Sequence, residues 1–165
     1  MKNINLMKIA KKIFPFNRSL TGNGTLKTLK FFKTINNQIS IKSVKSGQKV
    51  FDWKIPNEWN VKNAYVKNLR DKKIIDFSQN NLHLMSYSTP VNKIMPLSEL
   101  NKNLHSISSQ PKDIPYVTSY YKKNWGFCLP HSQRLKLKNE NYKVFIDSSL
   151  KKGFVEWGEL LLKKT

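Results

Sequence analysis

The sequence predicts an α+β fold, two N-terminal helices followed by a β-rich module, and two observations carry that prediction. Up to Asn36, apolar residues recur at helical spacing. From Ile39 onward they come in short runs rich in β-branched and aromatic residues, cut by Gly, Pro, Asn and Ser. Helices grouped in front and strands grouped behind are the α+β pattern.

Taken in order, Asn3 to Phe14 and Gly22 to Asn36 read as helices, separated by Pro15 and the turn R-S-L-T-G-N-G (Arg18 to Gly24). Leu26, Leu29, Phe32 and Ile35 give the second helix one apolar face, which needs a partner. Strands are expected at Ile39 to Val44, ended by Ser46-Gly47, and at Val50 to Ile55, broken by Pro56-Asn57. Ala64 to Leu69 and Lys73 to Phe77 flank Arg70-Asp71-Lys72 as a hairpin, and Leu82 to Ser88 is a strand closed by Pro90. Leu97 to Leu104 makes a short helix, and Gln110-Pro111 and Ile114-Pro115 bracket an extended crossing, because a residue before proline avoids the helical region. Tyr116 to Tyr121, Tyr142 to Asp147 and Phe154 to Leu162 complete about eight strands, with a short helix around His131 to Leu137. The last of these is strongly apolar and would be an exposed edge unless it pairs early in the sheet.

The chain has 165 residues, the length of one domain, and a formal charge of +20. Such a field attracts polyanions, so a basic, non-enzymatic module binding nucleic acid or acidic polysaccharide is the alternative reading. Against specific base reading, 27 of the 30 cations are Lys and only Arg18, Arg70 and Arg134 are Arg. The lysines are also spread end to end, as on a solvated surface, so no specific nucleic-acid partner is expected. A single cysteine, Cys128, excludes an internal disulfide framework and points to the cytoplasm. No apolar run approaches the length that spans a bilayer and no signal-peptide core opens the chain, so no membrane partner is expected. Ile4 to Phe14 is amphipathic and basic, a pattern that more commonly docks on its own domain.

The R-S-L-T-G-N-G turn is the densest candidate site. A guanidinium fork beside hydroxyls and glycines suits a carboxylate or phosphate, which makes Arg18, Ser19 and Thr21 the candidate substrate-binding residues. The structural alternative is a helix start, with Ser19 or Thr21 as cap. Elsewhere the chemistry is thin. His83, His105 and His131 stand in no metal-ligand spacing, Cys128 and His131 at i and i+3 allow a thiolate–imidazolium pair, and no two carboxylates are singled out for acid–base work. No glycine-rich phosphate loop is present. No catalytic or metal-ligating residue is assigned.

Several stretches in fixed order carry a family likeness: P-F-N-R-S-L-T-G-N-G (Pro15 to Gly24), G-Q-K-V-F-D-W-K-I-P-N-E-W-N-V (Gly47 to Val61) and N-N-L-H-L-M-S-Y-S-T-P-V (Asn80 to Val91). D-I-P-Y-V-T-S-Y-Y-K-K-N-W-G-F-C-L (Asp113 to Leu129), Y-K-V-F-I-D-S-S-L-K-K-G (Tyr142 to Gly153) and W-G-E-L (Trp157 to Leu160) complete the set. Together they resemble the N-terminal part of bacterial proteins with an aminopeptidase-like domain, often labelled polysaccharide-biosynthesis proteins and related to co-catalytic zinc aminopeptidases. The resemblance implies a partial zinc-peptidase-like α/β domain. Residues 1–38 would supply its N-terminal helices, 39–150 a β-rich inserted module, and 151–165 a strand returning toward the catalytic domain. Family members continue past G-E-L into a His-bearing strand end and an Asp-bearing loop that hold the metals. The resemblance therefore implies zinc in the full-length family but none in this chain, which is catalytically incomplete alone, and a peptide or aminoacyl substrate for the whole protein.

Overall fold

The computed structural model describes residues 5–162 and is a mixed α/β structure with four helices and small sheets. It divides into two compact units, one containing residues 5–60 and 151–162 and the other Val61–Leu150.

In the first unit, α1 (Leu6–Ile13) starts where Asn5 accepts the Lys8 N–H, and it buries none of its residues. The second helix, α2 (Asn23–Ile35), buries only Thr28, while Leu26, Leu29 and Phe32 are half-buried and Ile35 is exposed. Strand β1 (Ser40–Lys45) pairs antiparallel with β10 (Phe154–Glu159), Ser40 opposite Glu159 and Lys45 opposite Phe154. The terminal strand thus pairs with the first strand of the chain, but only over Phe154–Glu159: the apolar Leu160, Leu161 and Leu162 lie beyond it and are exposed. Gly158 lies beneath α2: a Cβ there would sit 3.3 Å from Leu29 Cδ2, so the helix approaches the ribbon closely. The single strand expected at Val50 to Ile55 is instead a tight hairpin of β2 (Lys49–Val50) and β3 (Trp53–Lys54), turned by Phe51 at φ 53°.

The second unit is organised on a four-stranded sheet in the order β5-β4-β9-β6, from β4 (Glu58–Asn68), β5 (Lys73–Asp76), β6 (Val91–Pro96) and β9 (Asn141–Lys151). The side-chain period of two places Tyr142, Val144 and Ile146 of β9 on the buried face, with Ala64 and Val66 of β4 and Ile75 of β5 also buried. On the open face Tyr65 stacks on Phe145, centroids 5.0 Å apart. The β4–β5 hairpin turns at Arg70-Asp71-Lys72 as expected, with Asp71 at φ 62°.

Two expected strands are absent. Leu82 to Ser88 begins as a 3-10 turn (Asn81–His83), and Tyr87 at φ 67° breaks the extension. Its backbone bonds to separate partners, Met85 N–H to Gly126 O and Ser86 N–H to Val117 O, instead of one neighbour. Tyr116 to Tyr121 serves mainly as that partner, bridging Ser86 at Thr118 before turning at Ser119. A short helix α3 (Leu97–Leu100) continues as a 3-10 turn into β7 (Leu104–His105), which pairs in parallel with β8 (Phe127–Cys128). The helix α4 (His131–Arg134) follows Pro130. Ser88 ties this irregular layer to the sheet: its Oγ donates to Met85 O (2.6 Å) and accepts from Gly126 N–H (3.2 Å), and its carbonyl accepts from Ser148 Oγ of β9 (2.7 Å).

Candidate functional site

The R-S-L-T-G-N-G turn is a structural joint of the first unit. Arg18 is exposed, and its Nη1 donates to the carbonyl of Ile13, the last residue of α1. The Ser19 carbonyl accepts from Thr25 Oγ1 at 2.6 Å, while the Ser19 hydroxyl is buried with no hydrogen-bond partner among the described residues. Thr21 is 1% exposed, and its Oγ1 accepts the Trp59 N–H at 3.0 Å.

Neither Ser19 nor Thr21 caps α2. The N-cap is Gly22, at φ 100° and ψ 172°, and the cap hydrogen bond comes from far along the chain: Asn60 Oδ1 accepts the Asn23 N–H at 2.8 Å. Gly22 displaced the expected cap because its backbone lies against the Trp59 carbonyl, where any Cβ would collide. Asn60 is held in turn by Glu58 (2.8 Å), whose other oxygen accepts from Phe154 N–H (3.3 Å). Sequence reasoning missed Glu58 and Asn60. Their only signal was the N-E-W-N run itself, since nothing local links it to a turn so far upstream.

The Cys128 and His131 pair is not assembled. Cys128 is fully buried, and that burial pushes its thiol up to about 12, so no thiolate forms near neutral pH. His131 Nδ1 hydrogen-bonds Ser106 Oγ (3.0 Å), and the Cys128 carbonyl accepts from His83 Nδ1 (2.8 Å). The ring of His105 has its Nε2 buried without a partner among the described residues, and burial, aided by nearby Arg134, lowers its pKa. We expect Cys128 to stay unmodified by a thiol reagent such as iodoacetamide at pH 8 in the folded protein and to react once denatured. Rapid native labelling, read by mass spectrometry, would refute the buried thiol.

Two grooves are prominent. In the first unit α1 and α2 line one of about 880 Å³, to which Ile9, Phe31 and Ile35 contribute together with Lys8, Lys11 and Lys12. In the second unit a groove of about 550 Å³ gathers Arg70, Lys72 and Lys73 from the β4–β5 hairpin with Lys136 and Lys138 from the segment after α4. Neither is lined by Arg18, Ser19 or Thr21.

Residues 58–149, covering most of the second unit, match the profile of the family described as Domain of unknown function (DUF2172). The chain belongs to that family. This DUF2172 chain is also 48% identical, over 96% of its length, to a Clostridium acetobutylicum protein named as a candidate polysaccharide-biosynthesis protein with an aminopeptidase-like domain. It spans 36% of that relative's length. A crystal structure from Clostridium acetobutylicum, named as that of a candidate peptidase, superposes with a TM-score of 0.87 at 49% identity, covering 92% of this chain and 36% of that one. The aminopeptidase-like resemblance of the sequence motifs is thereby borne out. Among the described residues no helix is long and apolar enough to cross a membrane.

Proposed function

We propose that this chain contributes one part of a zinc-dependent, aminopeptidase-like protein whose peptide- or aminoacyl-cleaving centre is formed by residues outside it. The observation that carries this reading is the 48% identity, sustained over 96% of the chain, with a protein named for an aminopeptidase-like domain. In such a hydrolase the metal supplies a hydroxide and polarises the scissile carbonyl. The residues present do not fit that group: among those described, no three His, Cys, Asp or Glu side chains converge to hold a metal. No step is therefore assigned to this chain through zinc.

Its own residues act as scaffold. We read residues 1–38 and 151–165 as parts of the peptidase-like domain and 39–150 as a module inserted into it. The grouping of residues 5–60 with 151–162 in one compact unit, with Val61–Leu150 forming the other, supports an insertion whose C-terminal boundary lies near 150, while residues 39–60 group with the terminal segments and not with the inserted unit. The Thr21, Gly22 and Asn60 contacts then serve to fix the start of α2 on the entry to β4.

The test compares two proteins: residues 1–165 alone, and the same chain extended by whatever the reading frame encodes after Thr165. The extended protein is expected to carry His and Asp ligands, to bind zinc stoichiometrically and to hydrolyse aminoacyl-nitroanilides, whereas 1–165 does neither. Stoichiometric zinc with hydrolysis by 1–165 alone would overturn the proposal, as would an extended protein that binds zinc and cleaves no aminoacyl or peptidyl substrate.

A further inference from the structure

The basic groove of the second unit has the attributes of a prepared anion site. Five cations face it, Arg70, Lys72, Lys73, Lys136 and Lys138, against one carboxylate, Glu140. Only Lys73 of the five is ion-paired among the described residues, to Asp76 at 2.7 Å. Asp71, the acidic residue of the hairpin turn, is drawn instead to Lys67 at 2.8 Å, outside the groove lining. Four cations without an ion-pair partner among the described residues share one concavity with the single carboxylate of Glu140, so the local potential stays positive and an anion between them lowers their mutual repulsion.

Both walls are pinned by hydrogen bonds, so the backbone that carries the cations is fixed before binding and only their side chains remain to be ordered. On one side Asn68 Oδ1 accepts the N–H groups of Arg70 (3.1 Å) and Lys72 (3.0 Å), fixing the turn that carries them. On the other, Gln133 Nε2 donates to the Ile74 carbonyl (2.7 Å) and the Tyr142 hydroxyl to the Lys138 carbonyl (2.9 Å). The volume, about 550 Å³, lies within the range of small-ligand sites.

The lining also discriminates between polyanions. Binding of single-stranded nucleic acid draws on exposed aromatic faces on which bases stack. The one aromatic residue in this lining, Tyr142, is 1% exposed and its hydroxyl is already engaged. Lysine-rich walls without a stacking platform suit acid groups spaced along a saccharide. We propose that this groove binds the acid groups of an anionic oligosaccharide, with Arg70 and Lys72 on one wall and Lys136 and Lys138 on the other. The site lies wholly within residues 61–150 and is independent of the peptidase-like reading.

The test measures binding of tetragalacturonate to the full chain at low salt by isothermal titration calorimetry, with a four-residue oligothymidylate as the competing class. Two double variants remove the same charge, Arg70→Ala with Lys136→Ala in the groove, and Lys27→Ala with Lys33→Ala on exposed positions of α2. The groove pair is expected to weaken saccharide binding about tenfold or more, because two charge-assisted contacts are lost. The helix pair should leave it within about twofold, the range of a screened distant charge. Equal losses in the two pairs would show diffuse attraction and overturn the proposal. So would tighter binding of the oligothymidylate, or no saturable saccharide binding.

Discussion

Gly22→Ala is expected to destabilise the fold by about 4 kcal/mol, combining strain at a glycine-only backbone conformation with a backbone collision, each on the order of 1–3 kcal/mol. Gly22 sits at φ 100° and ψ 172°, a region L-residues avoid, and an added Cβ would run into the Trp59 carbonyl, which β4 cannot withdraw without giving up the Thr21 and Asn60 contacts. For a chain of this size that loss lowers the melting temperature by roughly 8–16 °C. Gly47→Ala is the internal control: it has φ 87° but nothing within 4 Å of the new Cβ, so it isolates strain alone, about 1 kcal/mol. If urea denaturation gave equal losses for the two variants, the close approach of Gly22 to Trp59 would be wrong.

The turn shows what the sequence could and could not convey. Two glycines, a Ser and a Thr beside a helical period announced a turn and a helix start, because those requirements are local. The cap could not be assigned, because its acceptor, the Asn60 side chain, reaches Asn23 only after β4 has been laid down. Likewise the helices α1 and α2 were legible from their periods, and the strands β4 and β9 in part: Ala64 to Leu69 and Tyr142 to Asp147 were expected where the strands run Glu58–Asn68 and Asn141–Lys151. Strand β6 was not: as an edge strand it buries only Val91 and Met95, and the Asn, Lys and Ile between them face out. The layer around Ser88 was misread as strands because its residues have strand composition, while its hydrogen bonds go to Gly126, Val117 and Ser148. The cationic groove was invisible for the same reason. Its lysines look scattered along the chain, and only the meeting of the β4–β5 hairpin with the segment after α4 concentrates them.

That irregular layer should nevertheless be as intolerant of truncation as a regular core, and Phe127→Ala is expected to cost about 3–5 kcal/mol. Phe127 is 0% exposed, at the meeting of β8 with Leu104 of β7 and with a bridge to Leu84. Its neighbours in sequence, Cys128 and Leu129, are also fully buried, and Gly126 before it is bonded to Ser88, so the backbone is held on both sides and cannot collapse into the cavity. A cavity that cannot close sits at the upper end of the range. Phe127→Leu, which leaves most of the volume filled, should cost no more than about 1.5 kcal/mol. Phe51→Ala, at a residue 93% exposed, should change stability by no more than about 0.5 kcal/mol. Denaturant titration of the three variants separates the cases: a loss at Phe127→Ala as small as that at Phe51→Ala would mean that the segments around Ser88 do not form a close-packed layer.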